Sequence, residues 1–140
     1  MILLLDTNVV SEIINLQPDA KVLHWVDRQF KADLFVSVVT IFEMRYGIEI
    51  KPPGRRKDIL EKDFEGLIRQ DFAGRVLELD VEAVRASAAL QAQRKKAGKP
   101  IQIADCLIAG TAISRKASMV TRDVNDFGAL PISVINPWTA

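Results

Sequence analysis

Met1-Ile2-Leu3-Leu4-Leu5-Asp6-Thr7-Asn8 opens the chain. Ile2 to Leu5 is short, β-compatible and continuously apolar, which reads as a buried strand. The polar trio Asp6-Thr7-Asn8 ends it abruptly. A chain that buries Leu3 to Leu5 must therefore bring the Asp6 carboxylate to the carboxyl edge of the sheet that this strand joins. The apolar run is also far shorter than a secretion-signal core or the roughly 20 residues of a membrane span. The protein is expected to remain in the cytoplasm.

Outward from that strand, helix and strand signals alternate. Val9 to Leu16 reads as a short helix stopped before Pro18, and Asp19 as the cap of an amphipathic helix reaching Phe30, on the helical spacing of Val22, Leu23, Trp25, Val26 and Phe30. Leu34 to Val39 is a second β-rich run. Thr40-x-x-Glu43 then has the spacing of a capping box that opens a helix to about Ile50. Lys51-Pro52-Pro53-Gly54 reads as a loop between helices, and Arg56 to Phe72 is helical again. Arg75 to Leu79 makes a third strand, and Asp80 caps a helix from Val81 to about Ala97, ended by Gly98 and Pro100. Ile101 to Ala117 is a further helix, Met119 to Arg122 a fourth strand and Ile132 to Ile135 a fifth. The pattern implies an α/β fold with right-handed crossovers, a central, mostly parallel five-stranded sheet flanked by helices. The 140 residues, 1–140, are expected to form a single domain. In such sheets ligands bind beyond the carboxyl ends of the strands.

Apolar residues at 49% and charged residues at 26% are the mix of an ordinary globular protein and exclude a disordered tail. The single cysteine, Cys106, forms no internal disulfide, and the single histidine, His24, anchors no His-rich zinc site. Any metal must be held by oxygen. Nineteen basic against eighteen acidic side chains provide no broad attraction for nucleic acid, so local patches would have to suffice. Three exist: Lys51 with Arg55, Arg56 and Lys57; Arg94, Lys95, Lys96 and Lys99; and Arg115-Lys116. Each by itself reads more readily as a solvated surface.

Four acids stand out. Asp6 follows four aliphatic residues directly, although it could equally cap the helix after it. Asp105 sits among Ile101, Ile103, Ala104, Cys106, Leu107 and Ile108, in a helix apolar nearly all round, which belongs in an interior. An isolated ionised carboxylate there costs several kcal/mol or shifts its pKa, whereas a helix macrodipole favours an acid in the first turn by only about 0.3 to 1 kcal/mol. Glu43 has the capping-box alternative. Asp123 closes the fourth strand, where a turn reading is also available, and Asp126 three residues on is a reserve for the same place. Three of these acids fall at carboxyl ends of expected parallel strands or at helix starts just after them, and Asp105 can face the same edge. Carboxylates within about 6 Å raise one another's pKa unless a cation lies among them. Oxygen-only ligation points to Mg²⁺ or Mn²⁺, and such an ion suits phosphodiester hydrolysis.

Together Leu4-Leu5-Asp6-Thr7-Asn8, Thr40-Ile41-Phe42-Glu43-Met44-Arg45-Tyr46-Gly47, Ile103-Ala104-Asp105-Cys106-Leu107-Ile108-Ala109 and Val120-Thr121-Arg122-Asp123 resemble the PIN-domain family over nearly the whole chain, specifically its VapC toxins and their FitB-like branch. The ending Asn136-Pro137-Trp138 is similar to that branch too. The resemblance implies a PIN-like three-layer fold and an acidic pocket of Asp6, Glu43, Asp105 and Asp123 holding Mg²⁺ or Mn²⁺, with Thr7 and Thr121 orienting carboxylates or waters. It also implies cleavage of single-stranded RNA, a cognate antitoxin whose C-terminal segment blocks the groove, a toxin homodimer, and operator DNA bound through the antitoxin. Near such a pocket, Arg45, Arg115, Lys116 and Arg122 are the basic residues expected to hold RNA. His24, Trp25 and Trp138 read as surface or packing residues.

Three rivals remain distinguishable. A phosphotransfer domain of the receiver or haloacid-hydrolase type also places an Asp after its first strand but wants a neighbouring acidic pair or Asp-x-Asp, which Asp6-Thr7-Asn8 lacks. A PIN-like binding module, silent in catalysis and acting within an antitoxin-dependent repressor, would not need all four acids. A structure-specific DNA nuclease would need extra helices to thread or clamp its substrate.

Overall fold

The structure is a computed structural model describing residues 1–140. Five strands, β1 (Leu3–Leu5), β2 (Leu34–Ser37), β3 (Val76–Leu77), β4 (Ser118–Val120) and β5 (Val134–Ile135), form one sheet in the order β3-β2-β1-β4-β5. Every pairing is parallel, with Leu3 beside Leu34 and Ser118, and Leu5 beside Val120. The expectation of a mostly parallel α/β sheet holds, and no antiparallel edge is present. Seven helices accompany it: α1 (Thr7–Ile13), α2 (Ala20–Asp27), α3 (Val38–Glu49), α4 (Arg55–Gly66), α5 (Val81–Lys96), α6 (Ile103–Ser114) and α7 (Val124–Phe127).

The layers follow from strand alternation. Leu3 and Leu5 point to one face, where they meet Val9 and Val10 of α1, Val22 and Trp25 of α2, Ile48 of α3 and Phe64 of α4. Leu4 points to the other and packs on Leu90 of α5 and Ile108, Ala109 and Ala112 of α6. Burial on both sides is why β1 reads as an unbroken apolar run. β1 lies centrally, with the chain moving outward to β2 and β3 on one side and returning to β4 and β5 on the other. The reversal of strand order between β1 and β4 makes their carboxyl ends the switch point, where sheets of this kind place ligand sites.

Several boundaries differ from expectation, each for a local reason. α1 starts at Thr7 and not Val9, because the Asp6 carboxylate accepts from the Thr7 N–H and caps the helix at once. β2 ends at Ser37, whose hydroxyl accepts from the Thr40 N–H at 3.1 Å; Ser37 is thus the cap of α3, and Thr40 sits inside the first turn. The capping-box reading of Thr40 and Glu43 is overturned. The helix capped by Asp19 stops at Asp27, leaving Phe30 80% exposed. The segment expected as helix to Phe72 passes into a π-helical turn over Leu67–Asp71. Asp80 caps α5 as expected, accepting from the Ala83 N–H at 2.9 Å. No helix is long and apolar enough to cross a membrane.

Candidate active site

The topology gathers the singled-out acids at one edge of the sheet. Asp6 leaves β1 and its N–H bonds to the Val120 carbonyl at 2.8 Å, so it lies against the end of β4. It is only 2% exposed. Its carboxylate accepts from the Thr7 N–H at 2.8 Å and from the Thr121 hydroxyl at 2.7 Å, with Thr121 itself fully buried. Even so, burial outweighs these hydrogen bonds and pushes Asp6 up to about 6, helped by the charges of Asp105 and Asp123. Asp6 is therefore both a helix cap and a strained carboxylate.

Asp105 stands in the first turn of α6 and is half-buried. The helix buries Cys106 and the run Ile108 to Ala112, while Ile103 in the first turn is 63% exposed, so the amino end of α6 emerges at the acidic edge. No hydrogen bond compensates the Asp105 carboxylate. Burial first, then the charges of Glu43, Asp123 and Asp126, push it up to about 6. Burial also raises the neighbouring Cys106 thiol.

Glu43 reaches the edge from α3. Instead of folding back on Thr40 it accepts from the Thr7 hydroxyl at 2.7 Å, and that hydroxyl also touches the Thr40 hydroxyl at 3.0 Å. Asp123 precedes α7 without capping it. Its carboxylate accepts from the Asn8 side-chain amide at 3.2 Å, and its N–H donates to the Thr121 hydroxyl at 3.0 Å. Asp126 is exposed and bears on Asp105 but not on Asp6. The four acids and the two threonines named from the sequence thus share one edge. No three of the acids, however, are closed into a ready metal-binding group; Glu43 accepts from Thr7, Asp6 from Thr7 and Thr121, and Asp6 and Asp123 both accept from the Asn8 amide.

The basic residues fare differently. Arg45 faces Glu49, Glu61 and Glu65, tying α3 to α4, so its charge is already matched. Arg115 donates to the Glu78 carbonyl at 2.9 Å and pairs with Asp80 at 3.4 Å. Arg115 and Lys116 follow the carboxyl end of α6, about 15 Å along the helix from Asp105 at 1.5 Å per residue, and precede β4 at the opposite edge of the sheet. The expectation that they flank the acids is corrected: a helix running antiparallel to its strands carries its two ends to opposite edges. Arg122 lies on the side of the acids, its guanidinium 4.9 Å from the centroid of the Trp138 ring and its backbone N–H donating to Asn8.

Sequence reading missed two features. Asn8, quoted only as part of a trio, touches Asp6, Thr121 and Asp123. Lys51, Arg55 and Arg56, which read as a solvated surface, line a groove of about 710 Å³ between α1, α3 and α4 that Glu43 also lines. The signal available was the break Lys51-Pro52-Pro53-Gly54, which turns α4 back along α3 and brings its basic start beside it.

Comparison with known proteins agrees with this fold. Residues 3–131 match the PIN domain. The chain is 42% identical over 136 residues to the VapC ribonuclease Y4jK of Sinorhizobium fredii (strain NBRC 101917 / NGR234), covering 97% of each. It is 37% identical to Toxin FitB of Neisseria gonorrhoeae (strain ATCC 700825 / FA 1090), covering 97% of this chain and 98% of that one. The structure of FitAB bound to an IR36 DNA fragment superposes with a TM-score of 0.89 at 37% identity, covering 98% of this chain and 96% of that one. With four acids at the switch point of a parallel sheet and relatives of this closeness over nearly its whole length, the chain belongs to the PIN-domain family.

Proposed function

We propose that this chain is a Mg²⁺- or Mn²⁺-dependent endoribonuclease and the toxin half of a type II toxin–antitoxin pair, acting in the cytoplasm. The observation that carries the reading is the meeting of Asp6, Glu43, Asp105 and Asp123 at one edge, with Asp6 buried and Asp105 half-buried without a hydrogen-bond donor, so that burial and acidic neighbours push both up to about 6. Acids perturbed by burial together with specific charged neighbours mark candidate functional sites. The donor set fits a hard cation, since Asp6, Glu43, Asp105 and Asp123 offer only oxygen, and Asp105 lacks any compensating donor. A bound divalent ion would supply charge neutralisation and a more acidic water.

The chain's own residues do the rest. Thr7 holds Glu43 and Thr121 holds Asp6, each through a short hydroxyl-to-carboxylate bond. Arg122 at the rim, and Lys51, Arg55 and Arg56 along the groove, offer cations to the RNA phosphates. Likeness to a VapC ribonuclease supports RNA as substrate; likeness to FitB and to FitAB on DNA supports an antitoxin partner, with operator DNA reached through it, and a toxin homodimer belongs to the same proposal.

The test uses purified protein free of antitoxin on single-stranded RNA with Mn²⁺. Asp6→Asn and Asp105→Asn are each expected to lower cleavage by more than about 100-fold, beyond the 10- to 100-fold loss usual for outer-shell changes. Cleavage that survives chelation of the metal, or either variant matching wild type, would sink the nuclease reading. A silent binding module of a repressor complex is favoured instead if wild type cleaves nothing and binds no Mn²⁺; the observation on its side is that no three acids are closed into a metal-binding group.

A further inference from the structure

Asn8 is a neutral side chain whose amide meets two of the acidic carboxylates at once. Its amide nitrogen lies 3.3 Å from Asp6 Oδ2, 3.2 Å from Asp123 Oδ2 and 3.3 Å from Thr121 Oγ1. An amide has two N–H bonds to give. The Thr121 hydroxyl already accepts from the Asp123 N–H and donates to Asp6, so the two Asn8 protons are best used by the two carboxylates. The orientation of the amide follows from its other end: Asn8 Oδ1 accepts from the Arg122 N–H at 3.3 Å. A flipped amide would set oxygen against two carboxylates and NH₂ against an N–H.

This arrangement ties the β4–α7 loop to the start of α1. Asp123 rides on that loop, and its side chain has no role as a cap that would hold it otherwise. Asp6, by contrast, is held by Thr7 and Thr121 independently of Asn8. Loss of the amide therefore releases Asp123 far more than Asp6.

We propose that Asn8 is a positioning residue: by donating to Asp6 and Asp123 at once, it holds the Asp123 carboxylate against the acidic edge and selects it, over Asp126, to complete the ion site. The inference rests on the nuclease reading above. It predicts that Asn8 acts through Asp123 and not through the fold.

Mn²⁺ is titrated calorimetrically into the full chain as wild type, Asn8→Ala, Asp123→Ala and the double variant. Asn8→Ala is expected to weaken Mn²⁺ binding by about tenfold or more, as outer-shell partners do. In the Asp123→Ala background the same change is expected to cost less than about twofold, because residues acting through one another are not additive. Equal losses in both backgrounds would overturn the proposal, since a purely structural Asn8 weakens the site whether or not residue 123 is acidic. Asn8→Leu fills the same space without a donor and must reproduce the Asn8→Ala loss; wild-type affinity in that variant overturns the proposal too. Failure of the nuclease reading is distinguished by the wild-type titration alone, which would then show no Mn²⁺ uptake.

Discussion

Asp105 illustrates what single residues contribute here. Its folded-state pKa of about 6 lies above the ordinary 3.8, so the folded chain binds this proton more tightly than the unfolded one. The charged group therefore disfavours folding at neutral pH, and the penalty is relieved as pH falls through about 6 toward 3.8. Asp105→Asn, which has no hydrogen bond to lose, is expected to raise the melting temperature near pH 8. The gain should shrink through pH 6 to 4 and be absent at about pH 3.5, below both values. Thermal melts across pH test this; an equal gain at both ends would show that charge is not the cause. Asp6 shifts in the same direction, but its bonds from Thr7 and Thr121 make an Asn replacement less favourable. At this scale the sequence was informative about the acids and, through the family resemblance, about the partners Thr7 and Thr121, but silent about Asn8. An acid after an apolar run advertises itself, whereas Asn8 matters only because β4 returns beside β1.

At the scale of elements, the pairing of α5 with α6 sets where Asp105 stands. Gly110 of α6 is pressed so closely on α5 that an added Cβ would lie 1.9 Å from Ser87 Oγ, 2.6 Å from the Ser87 nitrogen and 2.7 Å from the Ala83 carbonyl. Two of those atoms are backbone and cannot step aside. The Ser87 hydroxyl, bonded to the Ala83 carbonyl at 2.7 Å, would also be dislodged. Gly110→Ala is expected to destabilise the chain by about 1 to 3 kcal/mol, the usual range for overpacking, and to weaken Mn²⁺ binding as α6 is pushed outward. Urea denaturation measures the first and calorimetry the second; unchanged stability would mean the two helices are looser than they stand here. Helix existence was legible from periodicity, and the caps Asp19 and Asp80 from residue type. The start of α3 was not, because Val38 and Val39 suit a strand and only the Ser37 hydroxyl turns them into a first helical turn.

For the molecule as a whole, the sheet has two edges, and the chain's near-neutral charge makes the difference between them matter. Arg122 stands with the acids, while Lys116 precedes β4 at the far edge. Arg122→Gln is expected to raise KM for single-stranded RNA several-fold with little change in kcat, and Lys116→Gln to leave both unchanged; steady-state cleavage with each variant reads this out. A matching KM rise for Lys116→Gln would place RNA on the wrong edge. By itself the sequence determined the alternation of strands and helices, the buried central strand and the acids that burial would strain, because these follow from residue type and local period. Only the tertiary structure decided which charges meet: a twelve-residue helix carries its ends to opposite edges, β4 closes beside β1 across more than a hundred residues, and through-space contacts of that kind have no period to read.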